Sequence, residues 1–352
     1  MEVASSLIFA ALKQILEQRT SLTRSEARAL LDAILVHPNA AADLVLATLL
    51  GALAARGETE DELAGFVDSL RAHVTPIPLT NEERTQLVDT CGTGGDLSGT
   101  FNISTAAALV AAAAGATVAK HGNRAVTSRS GSADVLEALG IPVDVTPEQA
   151  AQALRTHRFA FLPAPSLQPA MKAVLPLRRA LGVRTAFNIL GPMTNPAGAP
   201  AQVLGVYAER LVAPVARTLA ALGTRHAFVV HGHTGAETGG LDEFSLSGPT
   251  QVGEVRNGKV HFSTVTPEQF GLPFAPIEAL AGGDTEANAA ILRSIFAGEP
   301  GPRRDVVIMN AAAVLVTAGL ANSFLHGAGL AASAIDSGAV ARLVALLADS
   351  AP

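Results

Sequence analysis

Over the first 75 or so residues the apolar positions recur with helical spacing. Leu7, Ile8, Ala11, Leu12, Ile15 and Leu16 fall on one side of a 3.6-residue period. Thr23 followed by Glu26, and Thr59 followed by Glu62, have capping-box spacing, so each predicts a helix start. Residues 40–55 predict a further helix with a broad apolar face. Leu44, Leu46, Leu49 and Leu50 on that face exceed what one small bundle hides, which leaves core packing and a dimer surface as the two readings. Thr75-Pro76-Ile77-Pro78 then breaks the pattern and reads as a linker. Beyond it, short β-type runs at 87–89, 141–145, 159–162, 202–207 and 227–231 alternate with helical stretches. Thr146-Pro147 opens one helix with proline at its first position, and 210–222 is another. Arg256-Asn257-Gly258-Lys259 between 251–255 and 260–265 is a hairpin signature. Three helices close the chain, near 284–297, 305–318 and 328–348. The expected fold is therefore α/β: an N-terminal helical domain over 1–76, and a larger domain over 77–352 with a mostly parallel sheet covered by helices.

Composition narrows the function classes. A chain of 352 residues, 49% hydrophobic and 16% charged, can bury a large core and suits two domains. Its net charge of −6 argues against a nucleic-acid-binding surface. One cysteine, Cys91, excludes an internal disulfide and a cysteine metal cluster, and it fits a cytoplasmic setting. Cys91 reads as a small packing residue, since no base is placed for it. Glu2 and Lys13 interrupt any signal-like apolar run, and the apolar run 106–116 is too short and alanine-rich to span a membrane. The nine histidines lack metal-ligand spacing, and His231-Gly232-His233 is expected on a loop.

The chemistry concentrates between Asp89 and Gly140. A glycine turn, Gly92-Thr93-Gly94-Gly95-Asp96, follows a short strand. The polar cluster Thr100, Asn102, Ser104 and Thr105 opens a helix. A basic, hydroxyl-rich loop from Lys120 and Arg124 to Ser132 opens a second one. Glycines let backbone N–H groups approach a ligand, and helix N-termini attract anions, so this order predicts a polyphosphate site. No Gly-Lys-[Ser/Thr] closes a Walker A loop, and Asp96 interrupts a Gly-x-Gly-x-x-Gly pattern. Asp242-Glu243, after a glycine-rich loop, is an adjacent pair of hard oxygen ligands of the kind that suits Mg²⁺ alongside phosphate.

GTGGD, FNIST and KHGNRAVTSRSGSAD, in this order, resemble the anthranilate phosphoribosyltransferases. The resemblance continues through Gly282-Gly-Asp-Thr-Glu-Ala-Asn288, Gly301-Pro-Arg-Arg-Asp305 and Asn310-Ala-Ala-Ala, so it covers nearly the whole chain. It implies the fold shared with nucleoside phosphorylases and transfer of a phosphoribosyl group from phosphoribosyl pyrophosphate to the amine of anthranilate, in tryptophan biosynthesis. Gly92, Gly95, Asp96, Thr100, Asn102, Thr105, Lys120, Ser128 and Ser132 match positions that hold phosphoribosyl pyrophosphate. Ile103 and the loop residues His121, Gly122, Arg124, Ala125, Val126 and Thr127 belong to the same expected substrate site, with His121 beside the ribose. Arg178 would meet the anthranilate carboxylate, and Asn123 would also touch anthranilate. Asp242 and Glu243 would bind two Mg²⁺ per subunit, with Ser104 on one of them.

The apolar surface in excess of what one small bundle hides predicts a symmetric homodimer through the N-terminal helices, residues 1 to about 75. The resemblance implies that the proline-punctuated segment 165–196, with Lys172, Arg178, Arg179 and Arg184, would leave the large domain, join those helices over about 166–188, and return. Two departures concern the acceptor side: Gln168 replaces the usual histidine, and Pro163 replaces a more usual aromatic residue. A pyrimidine nucleoside phosphorylase would lack the Asp-Glu pair and the KHGNR loop. A non-catalytic nucleic-acid-binding relative would need a basic face.

Overall fold

The computed structural model describes residues 2–36, 40–125, 129–235 and 239–349. Four helices come first: α1 (Glu2–Leu16), α2 (Arg24–Val36), α3 (Ala40–Arg56) and α4 (Glu60–Ala72). Both expected capping boxes form. Glu26 N–H donates to Thr23 Oγ1 at 3.3 Å while Thr23 N–H donates to Glu26 Oε2 at 2.8 Å. Thr59 and Glu62 repeat the exchange at 3.3 and 2.9 Å. Glu62 is fully buried, and its charge is met by the Leu22 N–H at 2.9 Å and by the Arg56 guanidinium.

The large domain carries one mixed sheet. Its strands are β1 (Leu87–Gly92), β2 (Thr117–Gly122), β3 (Phe159–Pro163), β4 (Ala201–Gly205), β5 (His226–His233), β6 (Gly240–Leu241), β7 (Thr250–Arg256) and β8 (Lys259–Val265). The order is β3-β2-β1-β4-β5-β7-β8, with β6 on β5. β3 to β5 run parallel, and β6, β7 and β8 are antiparallel additions. The β7–β8 turn has Asn257 and Gly258 at φ +51° and +76°, the two left-handed positions that an Asn-Gly hairpin turn requires. One sheet face packs on the alanine-rich helix Ile103–Ala113 and on Pro302–Thr317. Small side chains on both helices permit that close layer. The other face shares its core with α1–α4, the helix Val212–Ala221 and part of the 165–196 segment, through Val174, Phe187, Ile189 and Met193. The helix Ala170–Leu181 lies against α2 and α3.

Three expectations change. Residues 141–145 are not a strand. Ile141 and Val143 are buried as coil, and their alternation mimics a strand, while Pro142 offers no N–H for a ladder. The last helix is two, Phe324–Asp336 and Ala339–Asp349, broken where Gly338 takes φ +70°. His231 and His233 lie in β5 instead of a loop, and His231 Nδ1 is held 2.8 Å from the Val206 carbonyl oxygen. Among the described residues no single helix is long and apolar enough to cross a membrane; that last pair, bent by 64°, passes only on combined length and composition.

Candidate active site

Sheet connections run from β1 toward β2 on one side and from β4 toward β5 on the other, so the β1/β4 pair is the point where the strand order reverses. Ligands of open α/β sheets bind outside the carboxyl ends of strands at such a point. Here both ends are glycine, Gly92 paired with Gly205. A Cβ at Gly92 would run into the Asp242 carboxylate, and one at Gly205 into the Asp242 backbone. The acidic segment therefore rests directly on the strand ends.

The glycine turn closes over it. Gly94 N–H donates to Asp242 Oδ2 at 2.7 Å, with Gly94 and Gly95 at φ +66° and +76°. Asp96 accepts from the Ser98 and Asp242 N–H groups, each at 3.4 Å. Ser104, at the start of the helix Ile103–Ala113, donates its N–H to Glu243 Oε1 at 3.1 Å. The helix end read from sequence as an anion site thus already receives a carboxylate of the chain itself. Lys120 is 1% exposed, and its ammonium donates to the Thr90 carbonyl at 2.8 Å and to Ser104 Oγ at 3.4 Å. Gly92, Asp96, Ser104, Lys120, Asp242 and Glu243 are therefore brought together.

The charge in this cluster is unbalanced. Burial pushes the Asp242 and Glu243 carboxyls well above the usual carboxylate range, and the neighbouring carboxylates add to the rise. Buried Asp89 is pushed up to about 6 for the same first reason, desolvation. Lys120 is the cation facing them, and its own pKa is lowered by burial. A divalent cation would reverse the imbalance, and hard oxygen donors fit Mg²⁺. Among the described residues no group of three or more His, Cys, Asp or Glu could hold a metal alone. Mg²⁺ typically takes one or two carboxylates and completes its shell with phosphate oxygens and water.

The remaining predicted residues separate into two sets. Asn102 donates to the Ser130 carbonyl at 3.2 Å, and Thr100 Oγ1 lies 3.3 Å from Ser98 Oγ. Ile103 is buried, and Thr105 is buried with no hydrogen-bond partner for Oγ1 among the described residues. Gly122 lies against Phe161 and Ser132, so a side chain there would collide. His121 has its N–H on Asp89 Oδ1 at 3.1 Å and its buried Nε2 without a partner among the described residues. Burial first, and Lys120 second, depress its pKa to about 4, so the ring is neutral near pH 7. Arg124, expected to add charge beside Lys120, is instead forked onto Glu137 at 2.5 and 2.6 Å, with Asp134 and Asp144 at 3.4 Å. The Asn123 side chain accepts from the Arg124 N–H, and the Ala125 N–H donates to Asp134. Val126, Thr127 and Ser128 lie outside the described residues.

On the segment 165–196, Arg178 is half-buried with its guanidinium 5.9 Å from the Phe187 ring. Desolvation lowers its pKa, and it forms no ion pair among the described residues. Gln168 is buried and donates to the Thr194 carbonyl at 2.8 Å and to Thr194 Oγ1 at 2.5 Å. Cys91 is buried, with its thiol pushed well up by desolvation, which makes it a poor nucleophile.

Sequence reading passed over several contributors. Arg184 donates to the Gly95 carbonyl and lies over the Tyr207 ring at 4.2 Å, and Tyr207 N–H donates to Thr93 Oγ1 at 3.0 Å. Asn288 takes the Gly283 N–H at 2.8 Å and donates to Asn102 Oδ1 at 3.0 Å. Arg184 and Asn288 stood in quoted motifs, which was the available signal.

Comparison with known proteins follows the same division. Residues 84–341 match the glycosyl transferase family a/b domain, and residues 10–74 its helical bundle domain. An anthranilate phosphoribosyltransferase of Symbiobacterium thermophilum is 49% identical over 335 residues, covering 95% of each chain. The structure of anthranilate phosphoribosyltransferase from Thermus thermophilus superposes with a TM-score of 0.88 at 41% identity, covering 99% of both chains. That of the Saccharomyces cerevisiae enzyme in complex with PRPP and Mg gives 0.85 at 28% identity, covering 98% of both.

Proposed function

The chain belongs to the anthranilate phosphoribosyltransferase family, and from that premise we propose how its residues transfer a phosphoribosyl group from phosphoribosyl pyrophosphate to anthranilate. The anthranilate amine attacks C1 of the ribose, the C1–O bond to pyrophosphate breaks, and the amine proton passes to solvent. One observation carries this reading: a buried acidic pair, a helix N-terminus and a buried lysine converge beneath a glycine turn at the strand ends. With the Gly94 and Ser104 N–H groups on Asp242 and Glu243, those of Gly95, Asp96 and Thr105 would hold pyrophosphate oxygens. Lys120 supplies fixed positive charge close to Ser104. Asp242, Glu243 and Ser104 would hold Mg²⁺, two ions per subunit, which offset the charge that builds on the leaving group. Neutral His121 would border the ribose. Arg178 would fork onto the anthranilate carboxylate, with Asn123 near the same substrate.

Incubation with phosphoribosyl pyrophosphate, Mg²⁺ and anthranilate should extinguish anthranilate fluorescence as product forms. Persistent fluorescence under saturating substrates would overturn the reading.

Gln168 bears on the acceptor side. A histidine there could take up the amine proton, and glutamine cannot. Its amide is tied to Thr194, and the weakly basic amine sheds its proton to water once the C–N bond forms. We expect Gln168→His to change turnover by less than about tenfold, or about 1.4 kcal/mol. Steady-state kinetics decide it: an inactive native chain with a competent histidine variant would show that proton removal at this position is required.

On this reading two chains form a symmetric homodimer in the cytoplasm, with the domain boundary in each near residue 76. Leu46, Leu49 and Leu50 are buried in the chain's own core, which leaves Leu44 as the exposed leucine of that face. Leu7, Phe9, Leu16 and Leu44 are exposed at 42, 59, 47 and 73% on α1 and α3, an apolar surface of the kind that marks a partner face. Light scattering at micromolar concentration should return twice the chain mass, and a monomer mass would remove the claim.

A further inference from the structure

The acidic pair lies on a stretch without a strand ladder. β6 ends at Leu241 and β7 begins at Thr250, so the backbone polar groups between them need other partners. Phe244 finds both in one side chain. Its N–H donates to Asn310 Oδ1 at 3.0 Å, and its carbonyl accepts from Asn310 Nδ2 at 3.0 Å. The second Nδ2 hydrogen goes to the Val306 carbonyl at 2.9 Å, one turn back in the helix Pro302–Thr317. The amide can point only one way, because it faces an N–H on one side and a carbonyl on the other. Asn310 is 2% exposed and Phe244 0%, with the Phe244 ring packed among Phe228, Phe270 and Phe324.

Phe244 directly follows Glu243. The Phe244 N–H lies in the same rigid peptide plane as the Glu243 Cα and carbonyl, so a fixed N–H fixes where the Glu243 side chain starts. The aromatic cluster holds the Phe244 ring in the core, and Asn310 fixes the Phe244 N–H and carbonyl with two hydrogen bonds. We propose that Asn310 is a positioning residue for the reaction: it clamps the Phe244 peptide so that the Glu243 carboxylate stands at the N-terminus of the helix Ile103–Ala113. This rests on the reading of Asp242, Glu243 and Ser104 as Mg²⁺ ligands, and it extends that reading to a residue which touches neither metal nor substrate.

Asn310→Asp tests it, because the shape is kept while an acceptor replaces the donor that faces the Phe244 carbonyl. Leu343→Ala, in the buried face of the helix Ala339–Asp349, is the control for general loss of core packing. Two quantities are measured on the full chain. One is the Mg²⁺ concentration that half-saturates turnover at saturating phosphoribosyl pyrophosphate and anthranilate. The other, without turnover, is the rise in melting temperature that Mg²⁺ adds to phosphoribosyl pyrophosphate alone. Asn310→Asp should raise the first at least tenfold and abolish the second, while Leu343→Ala keeps both whatever its own melting temperature. If Asn310→Asp does not fold, Asn310→Ser, which keeps one short hydroxyl, should shift both quantities in the same direction by a smaller factor. A folded Asn310 variant with wild-type Mg²⁺ half-saturation and wild-type melting rise overturns the inference. Wild-type turnover that ignores Mg²⁺ overturns the metal reading itself, which is a different result.

Discussion

An Asp242→Asn, Glu243→Gln double variant should lose about a thousandfold or more in turnover, roughly 4 kcal/mol of transition-state stabilisation. Pyrophosphate leaves with its charge uncompensated when the cations that Asp242 and Glu243 would hold are gone. The amides keep the shape, and each retains an oxygen for the Gly94 and Ser104 N–H groups that the carboxylates now accept. The loss should therefore come without unfolding. Burial raises both carboxyls above their usual range, and a carboxylate whose folded pKa is raised opposes folding once ionised. Without Mg²⁺ and substrate the double variant should melt no lower than the wild type. Turnover and a melting curve measured side by side check both halves: full activity, or wild-type activity in excess chelator, would remove the metal from the mechanism.

What the sequence disclosed was local. Capping boxes at Thr23 and Thr59 and the Asn257-Gly258 hairpin are written within a few residues, and each forms. The glycine turn and the polar start of the helix Ile103–Ala113 were legible because close backbone approach demands glycine and helix starts favour small polar residues, and KHGNR was legible through its resemblance to the family. Partners far along the chain were not. Asn310 meets Phe244 across 66 residues and Asn288 meets Asn102 across 186, and no periodicity encodes such pairs. Arg124 shows the same limit. Its charge looked available in sequence, but the following helix brings Glu137 onto it, 13 residues away. Residues 141–145 failed for another reason: burial that alternates in coil has the same period as a strand, and only the absence of a ladder partner separates the two.

Arg178→Ala should raise the KM for anthranilate by about 10- to 100-fold and leave that for phosphoribosyl pyrophosphate within about threefold. Charge-assisted hydrogen bonds contribute about 1.5–3 kcal/mol, and a guanidinium can place two on one carboxylate. Arg178 is half-buried near Phe187 and its pKa is lowered by desolvation, yet among the described residues it has no ion pair. Arg71, whose pKa burial also lowers, meets instead the Met193 carbonyl oxygen at 3.0 Å. On the proposed reading the anthranilate carboxylate is the partner of Arg178, so the binding energy should be lost in one substrate's KM. Arg178→Lys keeps the charge but not the fork, and it should fall between the wild type and the alanine variant. The measurement is a pair of KM titrations, each substrate varied with the other saturating. Equal rises in both would mean that Arg178 holds the segment 165–196 in place and does not touch the acceptor.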